Sequence, residues 1–348
     1  MNRLSYSFPP NLETALHKDL QDWQQRDKTA RLWQRDASLW TNSDEAEWLG
    51  WLDVVGQSLQ QLDELQSAVS ELMAGGIRQV VLLGMGGSSM APEVLHDTFG
   101  HAPEHPELLV LDSTDPGQIA SVEARLDLAH TAFVVASKSG STLEPNILMA
   151  WFYQRMVDTV GAELAATHFI AITDPGSSLE QQAGKDGFRY IFPGRADIGG
   201  RFSALSNFGV VPAAIIGMDC RRFLDNTQQM VTACATPSPA AENPGVLLGA
   251  ILGVAALNGH DKLTLVASPQ VASTGAWLEQ LIAESTGKQG RGVLPLDGEP
   301  VGAPEVYGDD RVFVYLRLEG SADAGQDAAI ERLEQAGQPV IRIDITDI

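Results

Sequence analysis

The sequence predicts an α/β fold with two domains, each a parallel sheet flanked by helices, preceded by a helical segment. The first observation is a change of pattern at Arg78, after which short apolar runs alternate with helical stretches across glycine- and serine-rich turns. Such runs are typical of repeated βαβ units. The second is size, since 348 residues with 44% hydrophobic and 20% charged side chains suffice for about two domains with cores of their own.

Residues 1–75 are predicted to form a helical N-terminal segment. Apolar residues at helical spacing lie on one face of its last part, which Gly75 and Gly76 close. These residues are Leu59, Leu62, Val69, Leu72 and Met73. Five of the seven tryptophans also fall here, and we interpret them as packing anchors rather than as a ligand platform. They are Trp23, Trp33, Trp40, Trp48 and Trp51.

Residues 76–221 are predicted to be the first domain. Five apolar runs are its candidate strands, and a polar turn follows each of them. The runs are Val80–Leu83, Leu108–Leu111, Phe133–Ala136, Phe169–Ile172 and Tyr190–Phe192. The turns are Gly84–Ser89, Asp112–Gly117, Ser137–Thr142, Asp174–Ser178 and Pro193–Gly200. Ligands of open α/β sheets bind at the carboxyl ends of the strands, so we expect the site among these turns.

Residues 222–348 are predicted to be the second domain, incomplete at its carboxyl end. Its candidate helices are Arg222–Ala233 and Val246–Asn258, and its candidate strands are Leu263–Ala267, Val312–Arg317 and Val340–Ile345, with a helix between the last two. The proline-rich stretch Thr236–Pro244 predicts a surface loop. Because the chain stops at Ile348 on a predicted strand with no closing helix, we expect a shortened reading frame.

Charge, cysteine count and apolar runs limit the partners and the compartment that this protein can have. With 45 acidic and 23 basic residues the net charge is −22, which repels nucleic acids and anionic lipid surfaces. Two cysteines and no secretory leader predict a reducing cytoplasm. The apolar run Pro244–Gly259 is broken by glycine and shorter than the ~20 residues of a membrane span, so we expect a buried helix. The histidines show no metal-ligand spacing, and we expect neither a metal nor a redox cofactor.

The turn Gly84–Ser89 follows a predicted strand and enters a helix, where glycines let backbone N–H groups approach an anion. With Asp112 it nearly matches a dinucleotide fingerprint, but Ser89 occupies the third glycine position and Asp112 lies far along the chain. The sequence therefore gives only weak support to a nicotinamide-dependent oxidoreductase, which ranks third, after the two hypotheses described below. No Gly-Lys-Ser/Thr closes the turn as a Walker loop requires, and a tight turn without ligand is also possible.

The turn Ser137–Thr142 supplies four hydroxyls and an ammonium within six residues, again just before a helix. Phosphate oxygens need such a cluster of donors, although a serine-rich turn can also be a simple helix cap. Two donor-rich turns on neighbouring strands favour a phosphate site.

Two further stretches carry charge suited to catalysis. In Asp197–Ser203, Arg201 follows two glycines and could face a developing oxyanion, or it could pair with Asp197 and brace the turn. In Glu284–Lys288, a carboxylate follows the helix-like segment Trp277–Ala283. That carboxylate could be a solvated surface group, or a base if an apolar wall raises its pKa.

In this order the motifs resemble those of the phosphoglucose isomerase family, which is built on paired sugar-isomerase (SIS) domains. The similarity runs from about Gln79 to Gly292 and comprises a glycine loop, a serine-rich phosphate turn, the "GGR-aromatic-Ser" signature and the "E-S-x-G-K" segment. The residue sequence of Gly275–Pro295 is most similar to that of the isomerase half of bifunctional transaldolase/glucose-6-phosphate isomerase proteins. The resemblance implies SIS-type, flavodoxin-like three-layer domains and reversible isomerisation of glucose 6-phosphate and fructose 6-phosphate, a step of glycolysis and gluconeogenesis.

The resemblance also implies the roles of single residues. The implied substrate-binding residues are Gly87 and Ser88 around the sugar, and Ser137, Lys138, Ser139 and Thr142 around the phosphate. Arg201 would stabilise the negative oxygen of a cis-enediolate, and Glu284 would move the proton between C1 and C2. A homodimer and a link to a transaldolase domain are implied as well, with no nucleic-acid or membrane partner.

The family's ring-opening histidine and C-terminal lysine have no counterpart in the sequence, since His260 lies in another context. The second hypothesis is accordingly a non-catalytic or weakly active phosphosugar-binding SIS module. Glu284 in its matching segment favours the enzyme, because a mere binder has no use for a positioned base.

Overall fold

The computed structural model describes residues 3–235 and 238–348, and it divides the chain into two units. The central unit is Glu47–Gln228, and the terminal unit combines Met1–Ala46 with Gln229–Ile348. The division differs from the expected boundaries at residues 75 and 221, because the first residues of the chain join the sheet of its last third. Thr236 and Pro237 of the predicted loop Thr236–Pro244 lie outside the described residues.

Strands and helices are numbered in chain order. The strands are β1 (Arg3–Ser7), β2 (Gln79–Gly84), β3 (Glu107–Leu111), β4 (Thr131–Ala136), β5 (Phe169–Thr173), β6 (Tyr190–Pro193), β7 (Lys262–Ala267), β8 (Leu294–Leu296), β9 (Arg311–Leu318) and β10 (Val340–Ile345). The helices are α1 (Pro10–Gln25), α2 (Lys28–Trp33), α3 (Val54–Ala74), α4 (Met90–Phe99), α5 (Pro116–Glu123), α6 (Leu143–Val160), α7 (Ala162–Ala165), α8 (Ser178–Asp186), α9 (Asn207–Ile215), α10 (Cys220–Cys234), α11 (Pro244–Leu257), α12 (Thr274–Thr286) and α13 (Ala324–Gln335).

The central unit is built on a parallel sheet in the order β3-β2-β4-β5-β6. All five strands predicted for the first domain are confirmed, with small shifts at their ends. They read as continuous apolar runs because helices cover both faces of a parallel sheet. Phe133 lies at the centre of the core, where it stacks on Phe152 of α6 and Phe169 of β5.

The terminal unit contains a second sheet in the order β1-β10-β9-β7-β8, in which only β1 runs antiparallel to its neighbour. The three predicted strands and the helix between the last two are confirmed as β7, β9, β10 and α13. Sequence patterns missed β8, which has three residues, and β1, which was expected to be helical. β1 is extended because its backbone pairs with β10, more than 300 residues away in the chain.

The predicted α/β class with parallel sheets flanked by helices is therefore confirmed. The apolar run at Pro244 forms α11, whose Asn243 side chain accepts a hydrogen bond from the N–H of Val246 and so caps the helix. No described helix is long and apolar enough to cross a membrane.

Candidate active site

The candidate site lies at the carboxyl edge of the central sheet. The chain leaves β2 for β3 on one side and continues with β4 on the other, so the strand order reverses between β2 and β4. Such a switch point opens a crevice in which α/β proteins bind ligands. The turns Gly84–Ser89 and Ser137–Thr142 follow these two strands and therefore lie next to each other, as the sequence predicts.

The glycine turn is packed directly against the turn that carries Arg201. A Cβ atom on Gly87 would lie 2.2 Å from the carbonyl oxygen of Gly200 and 2.8 Å from the amide nitrogen of Arg201. The Ser203 hydroxyl fixes the same junction by donating to the carbonyls of Gly200 (2.6 Å) and Gly87 (3.3 Å). Sequence analysis placed Gly87 and Arg201 in separate motifs, but their two turns pack against each other at one junction. Ser88 is buried within it.

The serine turn presents hydroxyls and a helix start. Ser137 is buried, and its hydroxyl donates to Thr142 Oγ1 at 3.3 Å. Ser139 and Ser141 are exposed, with hydroxyl oxygens 2.8 Å apart. Thr142 makes no side-chain cap at the start of α6, so the first N–H groups of this 18-residue helix remain available to an anion. Hydroxyls and a helix start together suit a phosphate group.

Lys138 lies in this turn, but its ammonium group forms hydrogen bonds to other residues of the protein. The Nζ atom donates to both carboxylate oxygens of Asp174, at 2.7 and 2.8 Å, and to the carbonyl of Arg195 at 2.6 Å. The Lys138 and Asp174 side chains are 17% and 19% exposed. The lysine therefore ties the serine turn to the turns after β5 and β6. Whether its side chain also reaches a phosphate stays a prediction.

Replacing Lys138 by methionine is expected to lower the free energy of unfolding by about 3 kcal/mol, because Asp174 would keep a largely buried charge without a partner. Urea unfolding measures the loss. The double variant K138M/D174N removes both charges and should recover part of it. If Lys138 were only a phosphate ligand, K138M would weaken phosphate binding and leave the unfolding curve unchanged. That result would contradict the structural role of the Lys138–Asp174 pair.

The turn Asp174–Ser178 also caps α8. Ser177 accepts a hydrogen bond from the N–H of Glu180 at 3.0 Å. Because the same turn holds Asp174, it supports Lys138 as well.

Arg195 is a residue that sequence analysis missed. Its guanidinium makes two bonds to Asp197, at 2.9 and 2.7 Å, and one to Asp53 at 2.7 Å. The hydrogen bond to Asp197 raises the pKa of Arg195 above its ordinary value. Arg195 thus pairs with Asp197 at the start of the signature. The only local signal was the spacing Arg195-x-Asp197 immediately before the glycines of the signature.

Arg201 lies half-buried just beyond this pair. Its guanidinium carbon is 4.9 Å from the ring centre of Phe202, and Phe202 stacks on Trp51 with ring centres 5.7 Å apart. Such cation–π and stacking contacts restrict where an arginine can point. Trp51 acts here as the packing anchor that the sequence predicted.

Glu284 belongs to the terminal unit, in the last turn of α12. Its side chain is exposed and accepts a hydrogen bond from Gln280 Nε2 at 2.9 Å, while Lys288 Nζ binds its backbone carbonyl at 2.6 Å. Glu284 is thus exposed rather than held against the apolar wall that the sequence analysis considered. The other predicted site residues all lie in the central unit. Among the described residues there is no group of three or more His, Cys, Asp or Glu side chains that could hold a metal ion.

Comparisons with known proteins agree with the motifs. A profile of the phosphoglucose isomerase family matches residues 43–294. The glucose-6-phosphate isomerases of Trichormus variabilis and Nostoc punctiforme are each 31% identical to this chain, over 290 and 314 residues. These matches cover 77% and 84% of this chain, but 53% and 57% of the relatives. The chain thus spans about half the length of the curated relatives it matches.

Solved structures share the fold. A hypothetical protein from Thermus thermophilus superposes with a TM-score of 0.81 at 21% identity, over 99% of this chain and 89% of its own. A glucose-6-phosphate isomerase from Chlamydia trachomatis superposes with a TM-score of 0.68 at 22% identity, over 91% of this chain and 68% of its own.

Proposed function

Because the chain belongs to the phosphoglucose isomerase family, we propose that it is an aldose–ketose isomerase that interconverts glucose 6-phosphate and fructose 6-phosphate. The observation that carries the proposal is the close packing of the glycine turn on the arginine turn, at Gly87 and Gly200, beside a turn rich in hydroxyls. In this proposal the serine turn supplies anion donors and Arg201 supplies a cation to one ligand. A phosphorylated sugar needs both.

The phosphate is proposed to bind at the serine turn. Ser137, Ser139 and Thr142 supply hydroxyl donors, and the start of α6 supplies backbone N–H groups and the positive end of a helix dipole. These local donors must overcome the repulsion of a chain with net charge −22. Gly87 and Ser88 are proposed to line the sugar beyond the phosphate, next to Arg201.

The proposed chemistry is a proton transfer through a cis-enediolate. Glu284 takes the proton from C2 of the open-chain aldose, and negative charge develops on the carbonyl oxygen at C1. Arg201 stabilises that oxygen, because a charged donor fixed beforehand favours the intermediate over the neutral substrate. The carboxylic acid then returns the proton to C1, and the hydroxyl proton moves from O2 to O1. This scheme uses one base, one cation and no change of oxidation state of the protein.

The resemblance to the family leads to four further predictions for this protein. We expect a homodimer, a cytoplasmic location, a place in glycolysis and gluconeogenesis, and a link to a transaldolase domain. The second hypothesis, a phosphosugar-binding module with little or no turnover, makes the same binding predictions but a different kinetic one.

The test is a coupled assay of both reaction directions, with Arg201→Lys as the variant. Lysine keeps the charge but loses the flat guanidinium that lies over the Phe202 ring, so kcat is expected to fall about tenfold. Arg125→Lys is the matched control, because Arg125 binds the exposed Glu107 at the amino end of β3. Binding of fructose 6-phosphate without turnover by the wild-type chain would favour the binding module instead.

A further inference from the structure

The arginine turn of the candidate site is braced by a segment from much earlier in the chain. Residues 49–53, the bracing segment, lie immediately before α3. Leu49 forms an antiparallel bridge with Ile198, and the N–H of Gly50 donates to the carbonyl of Asp197 at 2.9 Å. The side chains of Leu49 and Ile198 are buried. Backbone contacts thus fix the start of the arginine turn to the bracing segment.

Side chains hold the same contact from both ends of the bracing segment. A Cβ atom on Gly50 would lie 2.2 Å from Cγ of Asp197, so the two segments approach as closely as a glycine permits. Arg195 holds that carboxylate with two hydrogen bonds and donates a third to Asp53 at 2.7 Å. Because Arg195 binds both partners and is only 18% exposed, the bracing segment cannot shift without breaking a largely buried ion pair.

Between these two ties the bracing segment presents Trp51 to the ring of Phe202. The ring centres lie 5.7 Å apart, and the ring planes are inclined by 15°. The guanidinium carbon of Arg201 lies over the same Phe202 ring, 4.9 Å from its centre. All three side chains are half-buried, so a surrounding core does not fix them. The Phe202 ring is therefore the link through which the position of Trp51 reaches the guanidinium.

We propose that Trp51 is a positioning residue for Arg201. By stacking on Phe202, it keeps the guanidinium directed at the place where negative charge develops in the reaction. The inference rests on the proposed function, in which Arg201 stabilises the enediolate oxygen. A donor that is oriented beforehand favours the intermediate because it does not have to reorganise as the charge forms. Since the bound sugar lacks that charge, loss of the orientation should lower kcat and leave KM nearly unchanged.

Trp51→Leu and Trp51→Phe separate stacking from the filling of space. Both replace the indole by a smaller apolar side chain, but only phenylalanine keeps a ring that can stack on Phe202. In the coupled assay W51L is expected to lower kcat for fructose 6-phosphate about tenfold, with KM within about twofold of wild type, because a misdirected catalytic group is costly. W51F should keep most of the wild-type kcat.

Trp151→Leu is the matched control, because Trp151 is an exposed tryptophan of the same unit, within α6. It should leave kcat and KM unchanged. Urea unfolding of each variant shows that the assayed protein is folded. A wild-type kcat in W51L, an equal loss in W51L and W51F, or a change in KM alone would overturn the positioning role.

A double-mutant cycle shows whether Trp51 acts through Arg201. In the Arg201→Ala background, W51L should have no further effect on kcat, because no guanidinium is left to orient. Losses in the two single variants that multiply in the double variant would overturn the proposal, since Trp51 would then act on another group.

A binding measurement tests the positioning role even in a chain without turnover. The probe is D-arabinonohydroxamate 5-phosphate, whose planar head group resembles the enediolate, and fructose 6-phosphate is the reference ligand. Calorimetry should show that the wild-type chain prefers the hydroxamate and that W51L reduces this preference about tenfold. That result without wild-type turnover would refute the isomerase proposal and support the role of Trp51. No preference for the hydroxamate, or a preference that W51L leaves unchanged, would overturn the role of Trp51 whatever the turnover.

Discussion

Replacing Glu284 by glutamine is expected to lower kcat for fructose 6-phosphate about 10³-fold, because an amide cannot accept the proton that a general base must take. The substitution keeps the size of the side chain, and the amide oxygen can still accept the bond from Gln280 that Glu284 accepts now. Stability and sugar-phosphate affinity should therefore change little. The coupled assay gives kcat, and a thermal shift with fructose 6-phosphate reports binding.

Glu279→Gln is the matched control for this experiment. It removes the same charge from the same helix, α12, at another exposed position. Loss of turnover in E284Q together with normal turnover in E279Q would identify Glu284 as the base. Equal turnover in E284Q and the wild-type chain would exclude that role. Retained ligand stabilisation with no turnover in any of the three proteins would point to a binding module.

The sheets could be predicted because their strands are buried. A strand such as β4 is covered on both faces, so all of its six residues are buried and the run Thr131–Ala136 is almost entirely apolar. β1 offers no such pattern, since it is an edge strand whose residues are all at least partly exposed. Only its pairing with β10 makes it extended, and pairing with a distant partner leaves no local trace.

The turns of the candidate site could be predicted because each follows a buried apolar run. The turns that carry Gly87 and Ser139 do follow β2 and β4, whereas the roles of these residues stay predictions. Contacts between turns are not visible. Lys138 and Arg195 are 57 residues apart, and nothing near either residue shows that the ammonium of one binds the carbonyl of the other. The exposure of Glu284 was equally hidden, because it depends on what packs against α12.

A large structural effect is also expected from Gly87→Ala. The added methyl group would lie 2.2 Å from the carbonyl oxygen of Gly200 and 2.4 Å from its carbon, far inside contact distance, and both are backbone atoms that no rotamer change can move away. The two turns would have to separate. We expect the free energy of unfolding to fall by about 3 kcal/mol, at the upper end of the range for overpacked sites. Urea unfolding measures it.

Gly184→Ala shows that this loss comes from the junction and not from glycine replacement as such. Gly184 lies inside α8 of the same unit, is exposed, and has no atom within 4 Å of an added Cβ. Alanine there should stabilise the protein by about 0.5 kcal/mol, because it restricts the unfolded chain at no steric cost. If G87A instead unfolded like the wild-type chain, the glycine and arginine turns would not be in contact. Because the proposed site needs that contact, an unchanged G87A would also remove the observation on which the isomerase proposal rests.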